Sequence, residues 1–410
     1  MLVGMSYQPS QQILQRYANV LVNWALGGGE GIKPGDVVHL YAHEDAKPLM
    51  IEASKAVWRA GGHVLLRFVP ADDAEFSFDR SFYELATDEQ LDFYADKYYA
   101  GLMAQVDHLL YITGDRDPTA LASADPGKMM RRQQAFAPLI EVQNAKEGAG
   151  KLTWTIGSYG TEAMAAEAGM SIEEYWEQII YACFLDAEDP VARWREAAAL
   201  IAESRDRLNA LPIERLHMVG EDADIWFTIG EKRQWIGGGG RNVPSFEIFT
   251  SPDWRGTNGW IRFSEPLYTH GQLVKGVELE FVDGVVVRAS ATENEELLKG
   301  IVEAENGNRV GEFSLTDGRV SRITKFMAST LYDENVGGPF GNTHVAIGMS
   351  LRHAYDGDQE GVTEEQWDAL GFNASAVHQD IVSTVDRTVT AVMKDGSERV
   401  IYSDGRFQLD

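Results

Sequence analysis

Between residues 35 and 211, short apolar runs alternate with amphipathic helical patterns. The apolar runs, each of a length that suits a buried strand, are GDVVHLYA (35–42), HVLLRFV (63–69), DHLLYITGD (107–115) and KLTWTIGSYG (151–160). The helical patterns cover residues 53–62, 88–105, 127–143 and 171–211. Strands that alternate with helices are expected to form a mostly parallel sheet with helices on its faces. This part of the sequence therefore predicts an α/β fold.

After Leu211 the pattern changes to short β-rich runs. ADIWFTI, GWIRFS and VELEFVDGVVVRAS are strand-like, and TVTAVMKDGSERVIYSDGRF near the C-terminus contains Asp-Gly pairs that are typical of hairpin turns. We expect residues 1–211 to form an α/β domain and residues 212–410 to form a β-rich α+β domain. A chain of 410 residues suits two cores, because single domains usually contain about 100–200 residues.

Composition excludes some classes of function. The formal net charge of −27 argues against a nucleic-acid-binding surface, since such surfaces depend on clustered Lys and Arg. No stretch approaches the roughly 20 apolar residues of a membrane span. The N-terminal residues lack the basic start, apolar centre and cleavage site of a secretory signal, and the chain has a single cysteine. We therefore expect a cytoplasmic protein that binds neither nucleic acid nor membranes.

Several catalytic motifs are absent from the sequence. It contains no GxSxG elbow, no Walker A loop, no GxGxxG that opens a helix, no HExxH and no CxxC pair. The glycine cluster in WIGGGGRNVPS has no following Lys-Ser/Thr and enters a β-rich region, so it is interpreted as a close-packed turn. Chemistry must therefore be sought among the acids and histidines.

Acids and histidines in the second half of the chain form a candidate metal site. His378 and Asp380 are two residues apart in VHQDIV, so on a strand both side chains point to the same face. Glu247 and Glu312 have apolar neighbours in SFEIF and VGEFS, and LYDENVGGPFGNTHVAIG (331–348) holds an acid and a histidine around a glycine-rich run. The candidate ligands are Glu247, Glu312, Glu334, His344, His378 and Asp380.

The chemistry of this set points to particular metals. Carboxylate oxygens combined with imidazole nitrogens suit Zn, Co or Mn, whereas Ca prefers oxygen alone and structural Zn sites usually include cysteine. Six protein ligands exceed the needs of one catalytic metal but suit two metals about 3.5–4 Å apart that share a carboxylate. The residues alone also allow a surface ion pair between His378 and Asp380, and strand alternation accounts for isolated glutamates.

The motifs resemble those of the thermophilic-type metalloaminopeptidases, the family represented by aminopeptidases T and S. The resemblance rests on NVPSFEIFTSP, RVGEFSL, LYDEN with the later HVAIG, and the closing HxD, which occur in the family's order over nearly the full chain. It implies a cytoplasmic exopeptidase with two divalent metal ions that removes N-terminal residues from peptides. It also implies an N-terminal α/β domain, a C-terminal metal-binding domain and a homodimer that encloses the active sites.

Carried over to this sequence, the resemblance makes all six candidate residues metal ligands. Glu312 receives a second, catalytic role, either as the bridging carboxylate or as the group that acts on the nucleophilic water. Two cations lower the pKa of a shared water, polarise the scissile carbonyl and stabilise the oxyanion, while a nearby carboxylate passes the proton to the leaving amine.

The sequence departs from the family at two places. Glu334 and His344 are ten residues apart, where family members have five, because GGPFG (337–341) enlarges the interval. If this loop bulges outward, the two ends can meet; if it carries Phe340 into the cavity, it narrows the substrate space. Leu351 stands where the family carries a tyrosine, and Tyr355, four residues later, is the predicted catalytic substitute.

Two other functions are compatible with the motifs. A ring-opening dioxygenase with one Fe(II) resembles the same family and uses only the equivalents of His344, His378 and Asp380, a triad typical of oxygen-activating iron. Such an enzyme has no need of Glu247 and Glu312, whose presence here favours the peptidase. The departures at Leu351 and in GGPFG also suit a catalytically inactive, peptide-binding relative.

Overall fold

The structure is a computed structural model that describes residues 7–73, 75–121, 124–269, 271–359 and 361–410. The chain forms two compact units. The N-terminal unit comprises residues 1–196 and 239–244, and the C-terminal unit comprises residues 197–238 and 245–410. The division into domains at residue 211 stays a prediction.

The N-terminal unit contains a parallel sheet. Its strands are β1 Val37–His43, β2 His63–Val69, β3 His108–Thr113 and β4 Thr153–Ser158. In the described residues they lie in the order β2-β1-β3-β4, and each neighbouring pair is parallel. The helices that precede and follow them are α1 Gln11–Val20, α2 Lys47–Arg59, α3 Phe78–Leu85, α4 Asp88–Asp92, α5 Asp96–Gln105, α6 Pro126–Ala135, α7 Ala137–Gly148, α8 Glu162–Glu167, α9 Ile172–Ala182 and α10 Pro190–Asn209, the last of which continues into the C-terminal unit.

The long predicted helices are divided in the structure. The pattern at 127–143 forms α6 and α7, because Pro138 lies in the first turn of α7, where a missing backbone N–H is tolerated, and disfavours helical conformation before it. The pattern at 171–211 forms α9 and α10, which are separated where Phe184 adopts a φ of 56°. Helix propensity alone did not locate these breaks.

The C-terminal unit is rich in antiparallel strands, as the sequence predicted. Its strands are β5 Ile213–Gly220, β6 Ala223–Thr228, β7 Glu247–Thr250, β8 Asp253–Arg262, β9 Leu267–Thr269, β10 Gln272–Val274, β11 Glu278–Val282, β12 Val285–Ser290, β13 Val310–Thr316, β14 Asn342–Gly348, β15 His378–Ser383, β16 Arg387–Met393, β17 Glu398–Ser403 and β18 Arg406–Phe407. Its helices are α11 Glu295–Glu303, α12 Thr330–Asp333 and α13 Glu364–Ala369. The prediction of a mixed α/β chain with a parallel sheet and a strand-rich C-terminal part is confirmed.

Two larger sheets organise the C-terminal unit. Among the described residues, one sheet has eight strands in the order β12-β11-β8-β6-β5-β16-β17-β18, and the other has four in the order β15-β14-β13-β7. Every residue of β7, β13 and β14 is buried, and the first three residues of β15 are partly exposed. This small sheet carries the candidate site.

Candidate metal centre

One face of the four-stranded sheet brings together five of the predicted ligands. Directly paired residues of neighbouring strands point to the same face of a sheet. Thr316 pairs with Glu247, Ser314 pairs with His344, Glu312 and Asp380 both pair with Ala346, and Gly348 pairs with His378. Alternation along each strand then places the five on one face, which we call the metal face: Glu247, Glu312, His344, His378 and Asp380.

Small side chains occupy the centre of the metal face. Ser314 lies beside His344, Ala346 lies between Glu312 and Asp380, and Gly348 lies beside His378. The short side chains of Ser314 and Ala346 leave room for the longer acidic and imidazole side chains that converge from neighbouring strands. At Gly348 an added Cβ would lie 2.0 Å from the carbonyl oxygen of Val377, so the backbone itself excludes a side chain there.

Glu312 is common to both groups of converging ligand atoms. Within the described part of the chain, Glu247, Glu312 and His344 form one group, and Glu312, His378 and Asp380 form another, with all ligand atoms of a group within 4.8 Å of one another. His344 Nε2 lies 3.1 Å from Glu312 Oε1 and 3.3 Å from Glu247 Oε2. His378 Nε2 lies 3.6 Å from Glu312 Oε2 and 3.4 Å from Asp380 Oδ1. The two oxygens of Glu312 thus face the two histidines separately.

Backbone carbonyls orient both histidines. Nδ1 of His344 donates to the carbonyl of Glu334 at 3.1 Å, and Nδ1 of His378 donates to the carbonyl of Met349 at 2.8 Å. A carbonyl only accepts, so each Nδ1 carries the hydrogen. This arrangement leaves Nε2 of each ring directed at the carboxylates, as is usual for histidines that bind metals.

The crowded acids of the metal face shift the pKa values of their neighbours. Burial raises the pKa of Glu247, and the charge of Glu312 raises it further. Burial alone lowers the pKa of His344, but its hydrogen bond with Glu312 and the charges of Glu247 and Asp380 outweigh this effect and raise the pKa. In the same way, Asp380 and Glu312 raise the pKa of His378 against the effect of burial. Protons on the imidazoles therefore partly neutralise the carboxylates.

These residues fit a site for cations. Three carboxylates converge in a buried region, and none of them forms an ion pair with a described lysine or arginine. Buried charge of one sign is costly unless it is compensated, and a divalent cation compensates it while displacing the imidazole protons. The mixture of oxygen and nitrogen donors, without cysteine, suits the metals expected from the sequence.

Solvent access to the site increases toward His378. The side chain of His344 is 1% exposed and that of Glu312 is 4% exposed, whereas the side chain of His378 is 21% exposed. The innermost ligand position thus lies at His344, and the open side lies at His378.

The backbone carbonyl of Glu334 lies beside the metal face. Its carbonyl accepts hydrogen bonds from His344 Nδ1 and from Asn342 Nδ2, the latter at 3.0 Å, and its carboxylate oxygen Oε1 accepts one from Asn335 Nδ2 at 3.2 Å. Among the described residues, the two converging groups do not include the Glu334 carboxylate. Its role as a ligand stays a prediction.

The GGPFG loop brings Glu334 and His344 together. A turn closes residues 338–341 through the Gly341 N–H and the Gly338 carbonyl at 3.0 Å. The carbonyl of Phe340 accepts a hydrogen bond from the Tyr402 hydroxyl at 3.1 Å, which holds this part of the loop against β17. The two ends of the loop meet through the hydrogen bond from His344 Nδ1 to the Glu334 carbonyl, and Phe340 is 38% exposed. The outward bulge stays a prediction.

Leu351 and Tyr355 follow the end of β14. The Leu351 N–H donates to Ser251 Oγ at 2.8 Å. Tyr355 is buried and packs its ring edge-on against Trp367 and Phe372, with ring centroids 5.3 and 6.2 Å apart. This packing accounts for the position of the Tyr355 ring, and the catalytic role of its hydroxyl stays a prediction.

The sequence analysis missed two polar side chains next to the predicted ligands. Ser314 Oγ donates to Glu247 Oε2 at 3.0 Å. Asn335 accepts from the Phe246 N–H at 2.7 Å and donates to Glu334, so it connects two ligand-bearing segments. The two-residue spacing of Ser314 from Glu312 on one strand was a usable signal, whereas the contact of Asn335 with residue 246 depends on the tertiary structure.

Comparison with known proteins identifies the family of this chain. A family model described as thermophilic metalloprotease (M29) matches residues 10–407. Aminopeptidase T of Thermus aquaticus is 30% identical over 73% of this chain and 76% of its own length, and aminopeptidase PepS of Streptococcus thermophilus is 25% identical over 96% and 97%. Wild-type AmpT from Thermus thermophilus has a similar structure, with a TM-score of 0.79 at 25% identity over 97% of this chain and 99% of that one.

The resemblance found in the sequence is thus confirmed over nearly the whole chain. The family match covers the segments of all six predicted ligands. The chain belongs to the thermophilic metalloprotease (M29) family.

Proposed function

We propose that this protein is a metal-dependent aminopeptidase that uses two divalent metal ions and an activated water. The observation that carries the proposal is the position of Glu312, whose two carboxylate oxygens face His344 and His378 in two separate groups of ligand atoms. A carboxylate shared in this way suits a pair of metals. The names of the relatives, which are aminopeptidases, support the reaction.

The proposed ligands are Glu247, Glu312, Glu334, His344, His378 and Asp380. When bound, Zn, Co or Mn ions lower the pKa of a water and polarise the peptide carbonyl. Glu312 is the proposed proton carrier, which takes a proton from the water and delivers it to the leaving amine. The carbonyls of Glu334 and Met349 hold the imidazole rings of His344 and His378 in place during the proton transfer, because each ring donates a hydrogen bond from Nδ1.

The acidic character of the site also supports the substrate class. A peptide with a free N-terminus carries an α-ammonium group at the end that is cleaved. The carboxylates of the metal face attract such a cation, and the net charge of −27 favours its approach. We propose peptides with free N-termini as substrates.

The location and assembly of the protein are also proposals. Among the described residues, no helix is both long and apolar enough to cross a membrane. The bacterial relatives support a cytoplasmic location. We further propose a homodimer, which is supported by apolar side chains exposed on the edge strand β2.

The alternative, a ring-opening dioxygenase with one iron, uses His344, His378 and Asp380 alone. Here Glu247 and Glu312 converge on His344 from the same face, which a single iron triad does not require. A catalytically inactive relative is the other alternative, and it predicts metal binding without peptide hydrolysis.

Metal content and turnover test the proposal together. We expect two metal ions per chain, counted by elemental analysis, and hydrolysis of amino-acid p-nitroanilides when Zn²⁺ or Co²⁺ is added. One iron per chain with uptake of oxygen would favour the dioxygenase. A fully metallated protein that cleaves no peptide would contradict the aminopeptidase.

Glu312→Gln tests the catalytic role of the shared carboxylate. We expect the variant to lose about 10²–10⁴-fold in kcat, the usual contribution of a positioned general base, while the circular dichroism spectrum stays that of the wild type. Glu52→Gln is the matched control, because Glu52 is also a buried glutamate but lies in the N-terminal unit. Substantial remaining activity in Glu312→Gln would refute the assigned role.

A further inference from the structure

A buried arginine lies behind the metal face. Arg387, the first residue of β16, is 1% exposed. Its Nε and Nη2 donate to the two carboxylate oxygens of Asp222 at 3.1 and 2.9 Å, and Nη2 also donates to the carbonyl of Arg262 at 2.6 Å. Nη1 donates to Thr343 Oγ1 at 2.9 Å, and Nη2 lies 2.7 Å from Ser383 Oγ. Asp222 neutralises the charge, the Arg262 carbonyl belongs to β8, and the two hydroxyl groups belong to strands β14 and β15.

The two hydroxyl groups belong to a cross-strand pair. Thr343 of β14 lies directly opposite Ser383 of β15, and both are buried. Thr343 immediately precedes His344, so its side chain points to the opposite face of the sheet from the metal face. One guanidinium group therefore bonds to both strands from behind, one residue away from the innermost ligand.

The register of these strands decides the geometry of the ligands. His344 is on β14, whereas His378 and Asp380 are on β15. A slip of one residue would turn His378 and Asp380 to the opposite face, and a slip of two would move them about 7 Å along the strand. Metal–ligand distances tolerate changes of only about 0.2 Å. The site therefore depends on this register.

We infer that Arg387 is a positioning residue of the metal site, which holds β14 and β15 in register by bonding to Thr343 and Ser383 together. The inference rests on the proposed function, because His344, His378 and Asp380 act there as ligands. The planar guanidinium group suits this role, since its donors point to several acceptors at fixed angles. A lysine at this position has one ammonium group and cannot reach all of the acceptors with the same geometry.

The test removes the two hydroxyl groups and leaves the ion pair in place. The variant combines Thr343→Val with Ser383→Ala, and Zn²⁺ is titrated into chelator-treated protein by calorimetry. We expect the affinity for Zn²⁺ to fall about 10–100-fold, the usual effect of losing an interaction that orients metal ligands. Thermal denaturation of the same samples gives the change in stability.

Val389→Ala is the control for stability alone. Val389 is fully buried in β16, two residues from Arg387, and its truncation leaves a cavity without touching the hydroxyl groups. We expect a lower Tm with the affinity of the wild type for Zn²⁺. Arg387→Lys keeps a charge beside Asp222, and we expect it to fold with a Zn²⁺ affinity between those of the wild type and the double variant.

Two results would overturn the inference. One is wild-type Zn²⁺ affinity in the double variant, and the other is an affinity that falls in step with Tm in every variant, Val389→Ala included. A wild type that binds none of Zn²⁺, Co²⁺ and Mn²⁺ would overturn the proposed function and this inference with it. Normal binding by the wild type and by the double variant would overturn this inference alone.

Discussion

At the scale of single residues, Leu351 and Tyr355 raise the question of which side chain supplies a catalytic hydroxyl. A leucine side chain has no hydroxyl, and Tyr355 is the predicted substitute for the family's tyrosine. Because Tyr355→Phe keeps the ring that packs against Trp367 and Phe372, we expect it to retain the fold and to lower kcat about 100-fold, as for the loss of one oxyanion donor. Adding Leu351→Tyr should then restore activity toward p-nitroanilides. An unchanged kcat in Tyr355→Phe would remove Tyr355 from the catalytic set.

Among the structural elements, the GGPFG loop leads to a prediction about metal binding and stability. Asn342 Nδ2 donates to the carbonyls of Glu334 and Val336 at 3.0 and 2.9 Å, so the base of the loop is held independently of its tip. We expect deletion of residues 338–341 to preserve Zn²⁺ affinity and to cost about 1 kcal/mol in unfolding free energy, for the lost hydrogen bond from Tyr402 to Phe340. Calorimetric titration and chemical denaturation measure the two quantities. Weaker Zn²⁺ binding in the shortened chain would mean that the loop tip places His344.

At the scale of the whole molecule, the exposed edge of the parallel sheet bears on the proposed homodimer. Strand β2 ends the order β2-β1-β3-β4 in the described residues, and Leu65, Leu66 and Phe68 on it are 39%, 52% and 44% exposed. Apolar edge strands of this kind favour pairing with another chain. We therefore expect Leu66→Lys to convert the proposed dimer to a monomer in light scattering, while Val400→Lys, at a similarly exposed position of β17, leaves it intact. A monomeric wild type at micromolar concentration would contradict the dimer.

Local pattern was sufficient for much of this fold. Alternating apolar and helical runs predicted the parallel sheet, and Asp-Gly pairs predicted the hairpin of β16 with β17 and the hairpin of β17 with β18. The breaks at Pro138 and Phe184 were missed, because an amphipathic pattern continues across a change of chain direction. Periodicity reports which residues are buried and is insensitive to where one helix ends and the next begins.

The sequence by itself determined the chemistry of the candidate site. The two-residue spacing of His378 and Asp380 and the order of the motifs identified the acids and imidazoles, because these signals are local and survive without knowledge of the fold. Only the tertiary structure decided their arrangement. The order β15-β14-β13-β7 makes Glu312 face two histidines, backbone carbonyls orient both rings, and Arg387 bonds to the strands from behind. These contacts join residues far apart in the chain, and strand pairing sets them through a register that no local pattern records.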